Sequence, residues 1–189
     1  MHNLHYLQMK EREELYSLLD KGLILRLYKD CFKDPPYEEV FDETEINSIF
    51  LKYLEKGVLM FCSKDTRENI IGFVAAVPLK YEKEVADLAK NHGYDPSTDW
   101  YYADVGVAKE FRKNGIGRYL ATQLIKLIPA NKIIMRTQEN NAASIACHKE
   151  VGFKIIDGMY QDIEKKRTSG IKEADKRIFL CYNKEIKGE

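Results

Sequence analysis

One short stretch, Val105-Gly-Val-Ala-Lys-Glu-Phe-Arg-Lys-Asn-Gly-Ile-Gly-Arg-Tyr-Leu120, restricts the folds open to this chain more than any other. A strand-like run ends at Val107 and a basic polar loop follows. From Gly115 onward Ile116, Leu120, Leu124, Leu127 and Ile128 recur at helical spacing until Pro129 stops them. A strand feeding a helix through such a loop is an α/β element. The first N–H groups of a helix lack internal partners and sit at its positive end, so this junction makes an anion site suited to a pyrophosphate. Gly115 and Gly117 remove side chains where phosphates must approach the backbone, and Arg112, Lys113 and Arg118 supply cations around them. The bland alternative is a glycine-containing turn with solvated basic residues; strand, loop and amphipathic helix in register weigh against it. A Walker loop is absent, and a dinucleotide fingerprint needs its glycines directly after the strand, with a third where Leu120 stands.

The rest of the chain reads as alternating helices and short strands. Leu4 to Met9 suits an opening strand. Leu15, Leu18, Leu19, Leu23 and Leu27 mark helical turns between Glu11 and Cys31, interrupted by Gly22, although Leu23 to Leu27 would also suit a strand. A helix is expected from about Asp42 to Lys56, then strands at Val58 to Cys62 and Ile70 to Val77. Leu79 to Asp99 is too long for a hairpin connection and should hold a short helix from Glu82 to Asn91. A strand from Tyr101 to Val107, the helix after Gly115, a strand from Lys132 to Thr137 and a helix from Asn141 to Glu150 follow. Two last strands, Phe153 to Tyr160 and Arg177 to Asn183, flank a charged loop. The expected class is mixed α/β (α+β), one domain over residues 1–189 with a central, partly antiparallel sheet flanked by helices.

Composition narrows the partners. Lys+Arg and Asp+Glu number 30 each in 189 residues, a balance that argues against nucleic acid. No apolar run reaches the roughly 18 residues of a membrane span, and the N-terminus has no secretory pattern. Cys31, Cys62, Cys147 and Cys181 are dispersed, which suits buried thiols in a reducing, cytoplasmic setting. The four histidines show no metal-ligand spacing, and no GxSxG elbow occurs, so neither a metal nor a serine nucleophile is expected.

Arg112-Lys-Asn-Gly-Ile-Gly117 matches [RQ]xxGx[GA], and Asn141-Ala-Ala-Ser-Ile-Ala-Cys-His-Lys-Glu-Val-Gly-Phe153 is similar to NxxAxxLYxxxGF. Both patterns belong to the GNAT acetyltransferase superfamily, which this chain resembles over residues 101–153; residues 1–100, on the acceptor side, and 154–189, the C-terminal strands, agree in element order. The resemblance implies an N-acetyltransferase using acetyl-CoA. The backbone from Arg112 through Lys113, Asn114, Gly115, Ile116 and Gly117 to Arg118 would cradle the coenzyme pyrophosphate. The edge at Val105 and Val107 would bond the pantetheine arm in a splay beside Lys132–Thr137, and Asn141 would contact the same region. Ser144 stands where the family has alanine. His148 stands where it has the tyrosine that protonates the leaving thiolate. Asn141, Ser144 and His148 share one helical stripe, so the imidazole can reach that site, and an imidazole can donate to a thiolate. The competing possibility is a surface histidine without a catalytic role.

A base is also needed to leave the acceptor amine neutral. Asp104 is the nearest candidate, with Tyr102 on the same face if the strand alternates regularly; a structural role for Asp104 is the other possibility. Six acids between Asp34 and Glu45 would favour a cationic amine, small or peptidic, unless they are a solvated face. The residues 79–99 could form the opposite wall, a lid or a contact in a homodimer; a monomer is equally expected. An acyl-CoA-binding sensor with little catalysis is the alternative function.

Overall fold

The computed structural model describes residues 4–166, 169–170 and 172–184. The described residues form a seven-stranded sheet and six α-helices. In chain order they are β1 (Leu4–Met9), α1 (Arg12–Asp20), α2 (Leu23–Phe32), α3 (Glu43–Lys56), β2 (Val58–Lys64), β3 (Ile70–Pro78), α4 (Lys83–Lys90), β4 (Trp100–Val107), α5 (Ile116–Leu127), β5 (Lys132–Gln138), α6 (Ala142–Val151), β6 (Lys154–Lys166) and β7 (Lys172–Asn183). The spatial order is β1-β2-β3-β4-β5-β7-β6, and every adjacent pair is antiparallel except β4–β5.

Local chemistry sets the boundaries. Gly22 takes φ +64°, a left-handed conformation costly for a side chain, and so divides α1 from α2. The Asp42 carboxylate accepts from the Glu45 N–H at 2.7 Å and caps α3. The ambiguous run from Leu23 to Leu27 is helical because Ile24, Leu27 and Tyr28 then share one buried face.

Both faces of the sheet are covered, so β2 and β3 are buried almost throughout. Leu59, Phe61, Phe73, Ala75 and Val77 join Phe50, Tyr28 and the other residues of α1–α4 in one core. Val58, Met60, Val74 and Ala76 meet Ile116, Leu120 and Leu124 of α5 in a second. Each large apolar side chain so enclosed stabilises the fold by about 1.5–3 kcal/mol.

Two irregularities in this sheet prepare the site. Between β3 and β4 the register changes, Ala75 pairing with Asp104 but Ala76 with Tyr102, so Ala103 is an extra residue in β4. Beyond it, β4 and β5 part company. Their parallel ladder holds only Trp100–Ile133, Tyr101–Ile134 and Tyr102–Met135, although β4 runs on to Val107 and β5 to Gln138. Among the described residues, the β5-facing edge from Ala103 to Val107 is thus free of strand partners.

The C-terminal region differs from the expected charged loop. β6 and β7 continue as a long hairpin, paired from Tyr160–Ile178 out to Lys166–Lys172. A register shift between Ile155 and Tyr160, with Gly158 at φ +74°, re-aims the second half of β6. Charged residues at alternate positions had disguised a strand whose two sides face different surroundings.

Candidate active site

Where β4 and β5 separate, two cavities meet, sharing Phe32, Tyr37, Val105, Ser144 and His148 in their walls. The larger, about 730 Å³, lies between the β4 edge, the loop leading into α5 and the face of α6. The smaller, about 230 Å³, lies between α2, α3 and β6 on the other side of the slot.

The β4 edge and the start of α5 form one wall of the larger cavity. Val105 and Val107 line it with their strand edge, and Arg112, Lys113, Gly115, Ile116, Gly117 and Arg118 form the mouth of α5. Gly115 is the residue before the helix, at φ +77°. Gly117 is different: a Cβ there would meet only Val107 Cγ2 at 3.7 Å, an ordinary contact, so the protein's own packing does not require glycine. Its bareness leaves room for something bound against the N–H groups. Ile116 buries its side chain in the core and can offer only its backbone outward.

The cations around this mouth are partly committed. Arg112 donates from Nε to the Val107 carbonyl at 2.9 Å and from a terminal nitrogen to the Cys31 carbonyl at 3.3 Å, so it braces the loop against β4 and α2. Arg118 pairs with Glu150 of α6 at 2.8 Å. Lys113 is exposed at φ +64°. The Asn114 amide donates to the Phe111 and Arg112 carbonyls, both at 3.2 Å, holding the turn that presents the helix end.

Asn141 caps α6, its carbonyl oxygen accepting from the Ser144 N–H at 3.0 Å, while its amide donates to the Tyr37 hydroxyl at 2.8 Å. Two turns further on, His148 is no surface residue: only 2% of it is exposed. Its Nδ1 lies 2.8 Å from the Ser144 carbonyl, which can only accept, so Nδ1 carries the proton. Nε2 is buried without a hydrogen-bond partner among the described residues. Burial holds the imidazole below its ordinary pKa against the opposing bond to Ser144, so the ring is neutral with a lone pair on Nε2.

Tyr102 and Asp104 do not share a face. The extra residue in β4 turns Tyr102 towards α6, where it meets His148 edge-on at 5.1 Å and Phe153 at 5.8 Å. Regular alternation therefore misplaces it. The Tyr102 hydroxyl is also buried without a partner among the described residues, and burial raises its pKa far enough to keep it a proton donor.

Asp104 faces the smaller cavity, where its Oδ2 accepts from Tyr53 at 2.6 Å and Tyr28 at 3.2 Å. Burial pushes its pKa up to about 6, even though these two bonds pull it down. Tyr28 and Tyr53 are both held protonated by burial and by the neighbouring carboxylate.

The run of six acids from Asp34 to Glu45 had pointed to an acidic groove here, but three of them have other duties. Asp34 pairs with Lys109 at 2.9 Å and Asp42 caps α3. Glu39 is buried against Arg177 at 2.7 Å and Lys165 at 2.9 Å. Four carboxylates line the cavity (Glu39, Glu45, Glu82 and Asp104) against four cations, Lys52, Arg136, Lys165 and Arg177. The balance comes from residues distant in sequence, which no local charge run announces. Tyr28 and Tyr53 were equally hidden, as ordinary apolar positions on helical stripes.

A splayed parallel strand pair, an open helix mouth on one side and a buried carboxylate on the other meet at one slot. The sequence profile of the acetyltransferase (GNAT) family matches residues 22–153, well over half of the chain, and the protein belongs to that family. Among solved structures, the ribosomal-protein-alanine N-acetyltransferase from Brucella melitensis is 19% identical, with 94% of this chain and 99% of that one covered and a TM-score of 0.63. An N-acetyltransferase from Staphylococcus aureus is 15% identical over 95% and 98% of the two chains, with a TM-score of 0.64. Arabidopsis thaliana NAA60 in complex with acetyl-CoA is 17% identical over 98% and 100%, with a TM-score of 0.61. At such identities the likeness establishes the fold. No curated protein sequence matches significantly.

Proposed function

We propose that this acetyltransferase moves an acetyl group from acetyl-CoA to a primary amine by direct attack. The observation that carries this is the slot beyond Tyr102 and Met135, which joins a backbone-lined anion site to a chamber holding an uncompensated carboxylate. The helix mouth at Gly115–Arg118 receives the pyrophosphate, the free β4 edge at Val105–Val107 bonds the pantetheine arm, and Asn141 holds the wall beside it. The thioester then reaches the junction, beside His148 and Tyr102. The structure of NAA60 with acetyl-CoA supports this choice of acetyl donor.

Asp104 receives the acceptor as an ammonium and takes one proton from it. The amine lone pair forms the C–N bond, and the carbonyl π pair moves to oxygen. Nε2 of His148 takes the second nitrogen-bound proton. Collapse of the tetrahedral intermediate breaks the C–S bond, and the imidazolium returns that proton to sulfur. Tyr102, still a donor, stabilises charge on the departing thiolate. The products are an N-acetyl amine, coenzyme A and the proton that Asp104 releases to solvent. The neutral tautomer explains why His148 acts as a relay: it has no proton to give until the amine supplies one. A cytoplasmic setting is proposed with this function, supported by four free thiols.

Titration calorimetry with acetyl-CoA, together with thiol release over a panel of amines, tests the proposal. Binding with release on an amine class supports it. Binding without release on any amine would favour an acyl-CoA sensor, and no binding would remove both.

A further inference from the structure

Most charges in the smaller cavity cancel one another. Glu39 is satisfied by Arg177 and Lys165, and Glu82 by Lys52 at 2.6 Å. Glu45 is exposed at the rim. Two charged groups inside are left over. Asp104 has two tyrosine hydroxyls and no ion pair among the described residues. Arg136, half-buried on β5, donates to the neutral Gln161 carbonyl oxygen at 2.8 Å and makes no ion pair among the described residues.

Their placement follows from the splay. Asp104 lies two residues past the last β4–β5 ladder pair, and Arg136 one residue past it on the opposite strand. Both line the same cavity, on the sheet face where Tyr101 and Ala103 join the α1–α4 core. The slot therefore has a carboxylate on one bank and a guanidinium on the other. A buried charge without a counter-ion is costly, and a ligand that neutralises both gains that energy on binding.

Building on the acetyl-transfer function above, we propose that the acceptor is a free amino acid, its ammonium received by Asp104 and its carboxylate by Arg136. A cationic polyamine would leave Arg136 facing a like charge. The chamber, of about 230 Å³, is of a size for a small acceptor. The β6 side chains Gln161, Ile163 and Lys165, at alternate positions, lie over this chamber or against its arginine.

The test measures thiol release from acetyl-CoA with free amino acids, with the same amino acids as carboxamides, and with the amines left when the carboxylate is removed. The expected result is a preference for at least one free amino acid of about tenfold or more in kcat/KM over both counterparts. Arg136→Gln should collapse that ratio towards one, and Arg136→Lys should restore part of it. Equal or faster turnover of the amides, or of peptides, would overturn the proposal without using any variant, so a failure of Arg136→Gln to fold cannot shield it. Calorimetry on the same samples separates the two levels. Acetyl-CoA binding with no amino acid turned over refutes the acceptor class alone, whereas loss of acetyl-CoA binding refutes the transferase function itself.

Discussion

The Ser144 carbonyl and His148 Nδ1, one turn apart on α6, lie 2.8 Å from each other, and this contact decides what the buried imidazole can do. It places the only ring proton on the side away from the unpartnered Nε2. The histidine is thereby prepared to accept a proton before donating one.

His148→Phe should lower kcat by about a hundredfold or more while leaving acetyl-CoA affinity nearly unchanged, because the ring packing on Tyr102 and Phe153 survives but the lone pair does not. His148→Tyr should keep more activity, since a phenol can donate directly to sulfur. Steady-state kinetics beside calorimetry checks both; indifference of kcat to either change would remove His148 from the mechanism.

Gly117→Glu should abolish acetyl-CoA binding while leaving the melting temperature close to wild type. The added Cβ meets nothing closer than Val107 at 3.7 Å, whereas the carboxylate would sit where the pyrophosphate belongs. Unaltered affinity would show the phosphates to lie elsewhere.

Asp104→Asn should abolish or greatly reduce turnover and yet stabilise the protein at pH 7. Burial raises the folded pKa from 3.8 to about 6, so ionising the carboxylate penalises the native state. That penalty is absent well below pH 4, grows as the pH rises through 4 to 6, and is constant above. The full shift corresponds to about 3 kcal/mol, an upper bound for a group in a solvent-reached cavity. Melting curves of wild type and variant across this range should converge in acid and separate towards neutrality.

The acetylation rate at low acceptor concentration should fall as the pH drops below about 6, as Asp104 takes up a proton and loses its hold on the ammonium. His148 affects stability in the opposite direction. Its folded pKa lies below the unfolded value, so the native state loses stability as the pH falls through about 6.5, where the unfolded chain binds the proton first. A pH–rate profile compared with pH-dependent melting of His148→Phe separates the two groups.

Asn141→Ala should cost about 1 kcal/mol from the lost cap of α6, or a few degrees in melting temperature, and should weaken acetyl-CoA binding by removing the bond from its amide to the Tyr37 hydroxyl. Tyr37→Phe should reproduce the binding effect with the cap intact. If Tyr37→Phe binds acetyl-CoA normally, the link between the two cavities is structural only.

Much of this molecule is local in origin and could be read along the chain. Gly22, the Asp42 cap, Pro129 and the stripe from Ile116 to Leu127 set helix boundaries through backbone conformation and periodicity, which act over a few residues. The loop from Arg112 to Gly117 announced the start of α5 for the same reason, since a glycine at φ +77° sets it locally. What tertiary structure alone decided depends on pairings between distant strands. The register change opposite Ala75 sends Tyr102 to His148 and Asp104 to Tyr28 and Tyr53, reversing an expectation based on simple alternation. The hairpin of β6 and β7 carries Lys165 and Arg177 to Glu39, turning what looked like an acidic groove into a balanced chamber. Burial then sets the chemistry: the same carboxylate and imidazole in water would titrate ordinarily, and only their removal from solvent moves Asp104 up and His148 down.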